Sequence, residues 1–274
     1  MQSFYFTQDI IFLIFLLVLS GVFTGFVSGL FGVGGGIIMV PALIHVFDEL
    51  GYSNEFTTHL AIGTSLGIIV PTSLISAWSY HKRGSLKIIL FSKLAFPVAG
   101  FSILGTILAG SLSGRALKLI FTIIIILIAL NFLRDQKILR KELPELPQLW
   151  GVVGIIGFFS SMIGVGGGAF FISYFTAYSV PLLSALGTSA SLGVMISLPG
   201  VIGYIANGWN LQNLPPFSFG YFSLLGFVFV VPTTMIMAPQ GAKLAHYLDK
   251  KKLKRLFAIF LLIMSLTMLY KIFF

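Results

Sequence analysis

Two glycine clusters contain the residues whose types and spacing could bind a ligand: Gly32-Val33-Gly34-Gly35-Gly36 and Gly164-Val165-Gly166-Gly167-Gly168. So many glycines cannot hold a regular helix, and the backbone should break at each cluster. A helix that begins after such a break presents unpaired N–H groups and the positive end of its dipole, and both favour an anion. We therefore predict substrate-binding residues at Gly32, Gly34, Gly35 and Gly36 and at Gly164, Gly166, Gly167 and Gly168.

A Gly-Thr-Ser segment follows each cluster, at residues 63–65 and at residues 187–189. Each segment lies in the helix predicted to follow the break, and hydroxyls there could donate to anionic oxygens. We add Thr64, Ser65, Thr188 and Ser189 to the predicted substrate-binding residues. Glycines and small hydroxyl residues also serve as packing devices in membrane helices. Two matching clusters, each with its own Gly-Thr-Ser segment, favour a binding cavity.

The paired motifs indicate that one unit has been copied. The clusters start at Gly32 and Gly164, 132 residues apart; the Gly-Thr-Ser segments are 124 residues apart, and residues 105–112 match residues 241–248 at a separation of 136. A recurrence over nearly the whole chain is typical of an internal repeat. We predict a first repeat over residues 1–133, a cytoplasmic linker over residues 134–149 and a second repeat over residues 150–274.

The composition is that of an integral membrane protein. Hydrophobic residues make up 57% of the 274 positions and charged residues 9%, with a mean hydropathy of +1.02. In soluble domains about 25% of residues are charged. We predict an all-α polytopic membrane protein with two inverted-topology repeats, each a glycine-broken, re-entrant helical hairpin plus three transmembrane helices.

Six full spans are predicted, over residues 57–81, 88–111, 116–133, 182–207, 218–242 and 254–273. Residues 150–163 and 169–178 flank the second cluster and are each too short to cross a bilayer. Residues 9–29 precede the first cluster and are long enough to cross one. The sequence leaves open whether they span fully or form half of a re-entrant hairpin.

The placement of basic residues predicts the orientation. Loops at residues 82–87, 134–141 and 243–255, together with Lys93, hold 14 of the 17 Lys and Arg residues, and we assign them to the cytoplasm. Residues 48–56, 112–115 and 208–217 then lie outside, and the two copies have opposite orientations. Because the basic residues follow the topology rather than one face, the net charge of +9 does not indicate nucleic-acid binding.

Several function classes are excluded or disfavoured. The chain has no cysteine, which excludes disulfides and thiol chemistry. The predicted spans contain no Asp or Glu, which argues against a carboxylate-based cation pump and favours recognition by neutral dipoles. No nucleotide-binding motif or catalytic constellation occurs, so we predict no cofactor, no metal site and no enzyme activity. The four histidines, His45, His59, His81 and His246, are isolated in sequence and are expected at interfaces or in loops.

These motifs resemble those of the sulfite exporter TauE/SafE family, also called the TSUP transporters. The resemblance rests on residues 29–36 with Pro41, on residues 61–65, 164–168 and 185–189, and on the closing segments 241–245 and 253–257. It covers the full length. One departure is Ser173, which stands where the first copy has Pro41, so the second half-helix need not be shaped like the first.

The resemblance implies a multi-pass transporter in the bacterial or archaeal cytoplasmic membrane. Its substrate would be sulfite or a related sulfur-containing organic anion such as sulfoacetate, moved outward. We interpret the chain as a secondary transporter that works by alternating access, in contact with membrane lipid. A passive anion channel remains an alternative, as does a membrane-embedded sulfur-metabolism enzyme or partner protein. The oligomeric state stays open, with a homodimer as one candidate.

Overall fold

The computed structural model describes residues 2–31, 35–52, 54–133, 142–212, 214–245 and 250–273. Within these residues the chain forms ten helices and one short β-hairpin, so the predicted all-α polytopic class is confirmed. The helices of the first half are α1 (Gln2–Phe31), α2 (Gly36–Glu49), α3 (Asn54–Lys82), α4 (Ile88–Ser111) and α5 (Gly114–Leu133). Those of the second half are α6 (Leu146–Met162), α7 (Gly168–Ala177), α8 (Leu182–Gly208), α9 (Leu224–Ala245) and α10 (Lys250–Phe273).

Each glycine cluster interrupts the helix before it. Helices α2 and α7 begin at Gly36 and Gly168, as predicted. The residues before them, Gly35 and Gly167, have φ angles of +74° and +70°. Only glycine adopts this left-handed conformation without strain, so the clusters supply the turns that the breaks require. Gly32 and Gly34 lie outside the described residues.

Five helices contain a segment long and apolar enough to cross a membrane: Phe56–Lys82, Ile88–Ser111, Gly114–Asn131, Leu182–Gly208 and Leu224–Gly241. The sixth predicted span, α10, contains a shorter apolar segment, Ala258–Tyr270. Shorter apolar segments also occur in α1 (Ile14–Gly29), α6 and α7. Of the helices beside the two breaks, α6 and α7 are too short to span, as the sequence predicts, whereas the question of whether α1 spans fully stays open.

The prediction of a span over residues 218–242 is wrong at its start. Residues 218–223 form a β-hairpin, with β1 (Ser218–Phe219) paired antiparallel to β2 (Phe222–Ser223), and α9 begins only at Leu224. Gly220 turns the hairpin with a φ of +53°, and the N–H of Tyr221 donates to the carbonyl of Tyr204 at 3.2 Å. Strand β2 packs against α3 and α8 and strand β1 against α9, and composition alone did not predict these contacts within the protein.

The last four residues of the predicted linker, 146–149, are helical. Helix α6 begins at Leu146, with Pro147 in its first turn, where the missing N–H has no intrahelical partner to lose. Residues 134–141 lie outside the described residues. The linker prediction therefore included the first turn of the helix that follows it.

Helices α3 and α8 pack along each other in opposite directions. Close contacts at four glycines show this. Written with the α3 residue first, the contacting pairs are Gly63 and Tyr204, Leu66 and Gly200, Ser73 and Gly193, and Tyr80 and Gly187. As α3 advances from Gly63 to Tyr80, the contacts on α8 step back by the same number of residues. The midpoint of this crossing falls near Pro71 and Met195.

The remaining helices pack in matching pairs between the halves. Helix α1 lies along α9, and α6 lies along α4. Gly25 of α1 faces Thr234 of α9, and Gly157 of α6 faces Val98 of α4. In the sequence repeat, Gly25 corresponds to Gly157 at a separation of 132 residues, and Val98 corresponds to Thr234 at a separation of 136. The α1–α9 contact and the α6–α4 contact are therefore made by corresponding residues. This packing is what an inverted repeat predicts, and the opposite orientation of the halves in a bilayer stays a prediction.

Gly25→Ala tests the close approach of α1 to α9. The added methyl would lie 2.6 Å from the Cα of Thr234, a backbone atom that cannot move aside. Such overpacking costs typically 1–3 kcal/mol, so we expect a lower melting temperature in detergent. Gly100→Ala is the control, because Gly100 has open space around it and alanine is favoured over glycine in a helix by roughly 0.5–1 kcal/mol. Equal effects of the two changes would contradict the close contact.

Candidate functional site

Residues beside the two glycine breaks contact each other inside the protein. A methyl group added at Gly36 would lie 2.5 Å from the carbonyl oxygen of Gly164 and 2.9 Å from the Cα of Val165. Gly164 has a φ of +76° and packs against Ile62 and Val40. The N-terminal end of α2 therefore lies directly against the second cluster, and glycine at both positions permits this contact.

Hydroxyl groups of the first half hold this arrangement together. Ser65 Oγ donates to the carbonyl of Gly164 at 2.9 Å, which ties α3 to the second glycine turn. Thr64 Oγ1 accepts from the N–H of Ser223 at 2.9 Å, which ties α3 to the β-hairpin. Both side chains are fully buried. Each hydroxyl thus makes a structural hydrogen bond that the sequence did not predict.

The equivalent hydroxyls of the second half differ. Thr188 and Ser189 are as buried as Thr64 and Ser65, yet their hydroxyls have no hydrogen-bond partner among the described residues. The hydroxyl of Ser160, near the end of α6, is also buried without a hydrogen-bond partner among the described residues. A buried polar group without a partner costs stability, so each such group calls for an explanation. In the sequence repeat, Gly32 corresponds to Gly164, whose carbonyl accepts from Ser65, and Gly32 lies outside the described residues.

The structure does not bring the two Gly-Thr-Ser segments together. Thr64 and Thr188 each lie seven residues from the midpoint of the α3–α8 crossing, on opposite sides because the helices are antiparallel. At 1.5 Å per residue they are about 20 Å apart along the helices. One small anion cannot contact both, so the two segments stay predictions for separate binding positions.

The residues nearest the midpoint are not the predicted hydroxyls. Gly166 lies against Ile69 of α3, and its carbonyl oxygen would be 3.2 Å from a methyl group at Gly193 of α8. Ser73 and Ser197 lie at this level as well. The sequence analysis missed them, although the separation of 124 residues that relates Thr64 to Thr188 also relates Ser73 to Ser197.

The centre of the molecule has no charged side chain. Residues 60–79 of α3 and all of α7 and α8 lack Asp, Glu, Lys and Arg. Across the described part of the chain, no three His, Asp or Glu residues lie close enough to hold a metal ion. The groups that face a ligand here are backbone dipoles and hydroxyls, which suits recognition of an anion without a counter-ion.

His59 is a buried helix residue, and its isolated place in the sequence did not predict this. Its ring is only 4% exposed, and Nε2 lies 3.3 Å from the carbonyl oxygen of Ala109 and 3.1 Å from that of Leu112. Carbonyl oxygens only accept, so Nε2 carries the proton. The ring also stacks on Tyr221 with centroids 4.7 Å apart. His59 therefore connects α3 to the end of α4 and to the β-hairpin.

A cavity of about 260 Å³ opens at the end of the molecule that the sequence assigns to the outside. It is lined by Gly51, Tyr52, Phe56, Thr57, Leu60, Leu214, Pro215 and Pro216. Burial raises the pKa of the Tyr52 phenol, so this group stays neutral and adds no charge to the cavity. Thr57, Leu60 and Thr64 follow one another along one face of α3, so the cavity ends one helical turn above Thr64.

The family assignment follows from the match over this architecture. The profile of the sulfite exporter TauE/SafE family matches residues 17–268, which includes both glycine clusters and both Gly-Thr-Ser segments. The chain belongs to this family. The resemblance seen in the motifs is thereby confirmed, and this TauE/SafE protein is a multi-pass membrane transporter rather than an enzyme.

Curated relatives agree with this assignment. A probable membrane transporter protein of Haemophilus influenzae is 31% identical and covers 94% of this chain and 98% of its own. One of Methanocaldococcus jannaschii is 28% identical, with 93% and 94% covered. The probable membrane transporter protein YunE of Bacillus subtilis is 23% identical, with 93% and 97% covered. No solved structure matches this TauE/SafE chain significantly.

Thr64→Val and Thr188→Val should have different effects on the stability of this transporter. The first change removes the acceptor of the buried Ser223 N–H, and an unsatisfied buried group costs about 1–3 kcal/mol. The second removes a hydroxyl that has no partner among the described residues, so stability should stay equal or rise. The melting temperatures of the purified variants decide this. A loss at Thr188 as large as that at Thr64 would mean that Thr188 makes a structural hydrogen bond too.

Proposed function

We propose that this transporter exports sulfite or a related sulfur-containing organic anion, such as sulfoacetate, across the cytoplasmic membrane by alternating access. The observation that carries the proposal is the pair of buried hydroxyls at Thr188 and Ser189, which have no partner among the described residues and lie on α8, a helix without charged side chains. An oxyanion supplies what these hydroxyls lack, because each of its oxygens accepts hydrogen bonds.

The glycine breaks support an anionic rather than a cationic substrate. Helices α2 and α7 direct their N-terminal N–H groups toward the breaks, and α7 begins beside the turn that Ser65 and Gly36 contact. Hydrogen bonds from N–H and O–H groups to an ionised oxygen are roughly twice as strong as those between neutral groups. Because α7 and α8 themselves carry no Lys or Arg, these helices would bind the anion through dipoles and hydroxyls alone, and it could leave again.

Alternating access is supported by the antiparallel packing of α3 and α8. In inverted-repeat transporters the substrate site lies near the midplane, at the interface of the repeats, and is formed by broken helices. Here equivalent helices of the two halves run in opposite directions, and both breaks lie beside the point where they cross. The positive-inside assignment then gives each half a break reached from a different side, which is what export by alternating access needs.

The outer cavity supports a path that continues from this centre to the outside. It ends one helical turn above Thr64, and Leu60 separates the two. Leu60 is fully buried, so the path is closed at this point in the described conformation. Export would require α3 to move relative to the loop at residues 214–216.

Flux in proteoliposomes tests the proposal. We expect saturable transport of radiolabelled sulfite or sulfoacetate, and its response to an imposed pH gradient shows whether protons are coupled. Ser189→Ala should lower the apparent affinity about 10-fold, because a hydrogen bond to a charged group contributes about 1.5–3 kcal/mol. Ser191→Ala is the matched control, since Ser191 is a buried serine of the same helix whose hydroxyl donates to the Gly187 carbonyl at 3.0 Å.

The same measurement separates the alternatives. Flux that rises linearly with concentration and shows no countertransport would support the passive anion channel instead. No flux of either anion by folded, inserted protein would reject both substrates. Unchanged affinity in Ser189→Ala would remove Ser189 from the binding site.

A further inference from the structure

We propose that Ser197 of α8 and Ser73 of α3 form an oxyanion-binding position at the midpoint of the α3–α8 crossing. This deepens the proposed function, on which it rests, by placing the central binding position at two serines outside the glycine clusters and Gly-Thr-Ser segments. Their hydroxyls would donate to oxygens of the transported anion, beside the second glycine turn.

Ser197 lies on the face of α8 that packs against α3. Gly193 and Gly200, four residues before it and three after it, are on the same face, and they meet Ser73 and Leu66 of α3. Residues spaced by three and four share one side of a helix. Ser197 therefore points between α8 and α3, level with Ile69.

The hydroxyl of Ser197 is fully buried and has no hydrogen-bond partner among the described residues. A serine in an apolar helix usually bonds the carbonyl one turn before it. Ser191 does so on the same helix, at 3.0 Å from the Gly187 carbonyl oxygen. Ser197 does not use its equivalent carbonyl, that of Gly193, so its donor remains available for a ligand.

Ser73 faces the same point from α3. A methyl group added at Gly193 would lie 2.9 Å from Ser73 Oγ and 3.2 Å from the carbonyl oxygen of Gly166. Glycine at position 193 therefore lets the Ser73 hydroxyl and the carbonyl of Gly166 both lie close to the backbone of α8. The equivalent position on α3 is Ile69, whose side chain fills the corresponding space against Gly166.

The two serines are close enough along the helices for a single small anion. Both lie two residues beyond the midpoint residues, Ser73 after Pro71 and Ser197 after Met195, on opposite sides of the crossing. At 1.5 Å per residue their separation along the helices is about 6 Å. The predicted hydroxyls of Thr64 and Thr188 are about 20 Å apart on the same scale, so the serine pair can serve one small anion where the threonine pair cannot.

The absence of cysteine from the chain permits a direct test. Single thiols are introduced as Ser197→Cys and Ser73→Cys, with Ser191→Cys as the buried control and Ser113→Cys as the exposed one. Each protein is treated in proteoliposomes with a negatively charged sulfonate methanethiosulfonate and with its positively charged trimethylammonium analogue. We expect the anionic reagent to modify both central thiols at least ~10-fold faster than the cationic one, and Ser191→Cys to remain unmodified.

The outcome does not depend on which substrate is correct. Equal rates for the two reagents at Ser197→Cys, or no reaction there while Ser113→Cys reacts, would overturn the anion position. If wild-type protein transports neither sulfite nor sulfoacetate but the anionic preference is observed, the substrate proposal fails and the position stands.

Ser197→Ala tests whether Ser197 binds the anion or only packs, because the two roles predict different changes in KM and in melting temperature. We expect the KM for the transported anion to rise about 10-fold through loss of a donor, while the melting temperature without ligand stays equal or rises. Ser191→Ala should leave the KM unchanged. An unchanged KM in Ser197→Ala, or a fall in melting temperature that accompanies the KM change, would assign Ser197 to packing.

Discussion

The fold depends on how two interrupted helices satisfy their backbone groups away from water. In a bilayer no solvent replaces a lost hydrogen bond, so irregular backbone occurs only where protein or a cavity provides partners. Here the protein provides many of them, since Ser65 donates to the Gly164 carbonyl and Val165 N–H donates to that of Ser160 at 2.8 Å. Gly36 comes close enough to bury the same turn. The break of one half is therefore completed by residues of the other.

Because residues of one half complete the break of the other, the helices of the two halves must approach closely, and small residues occupy their contacts. Gly25 and Gly157 let α1 and α6 approach the backbones of α9 and α4, and Gly63 does the same where α3 meets Tyr204. Lipid tails are as apolar as these helices, so association depends on close packing rather than on a hydrophobic driving force. The glycines that the sequence analysis weighed as packing devices are thus of two kinds. Those in the helices pack, whereas Gly35, Gly164 and Gly167 provide left-handed turns.

The sequence predicted the helices and the breaks well, because apolar length and glycine clusters are local properties. It failed where burial comes from the protein instead of lipid. Residues 218–223 belong to a predicted span, yet they form a hairpin whose strand β2 packs against α3 and α8. Thr64 and Thr188 match in sequence, yet one accepts a hydrogen bond from Ser223 and the other has no partner among the described residues. Ser73 and Ser197 carried a signal in the repeat spacing, but their central position depends on the crossing of α3 and α8.

Within the described residues, the hydroxyls of the two halves differ in their partners. The hydroxyls of Thr64 and Ser65 are occupied by protein, whereas those of Thr188, Ser189 and Ser197 have no partner in the described part of the chain. Each unsatisfied group costs about 1–3 kcal/mol, a range similar to the few kcal/mol that separate conformations of one protein. A bound anion that satisfies them recovers this free energy only in conformations where the hydroxyls reach it. Its binding then shifts the population between conformations, and such a shift is what couples a substrate to a change of access.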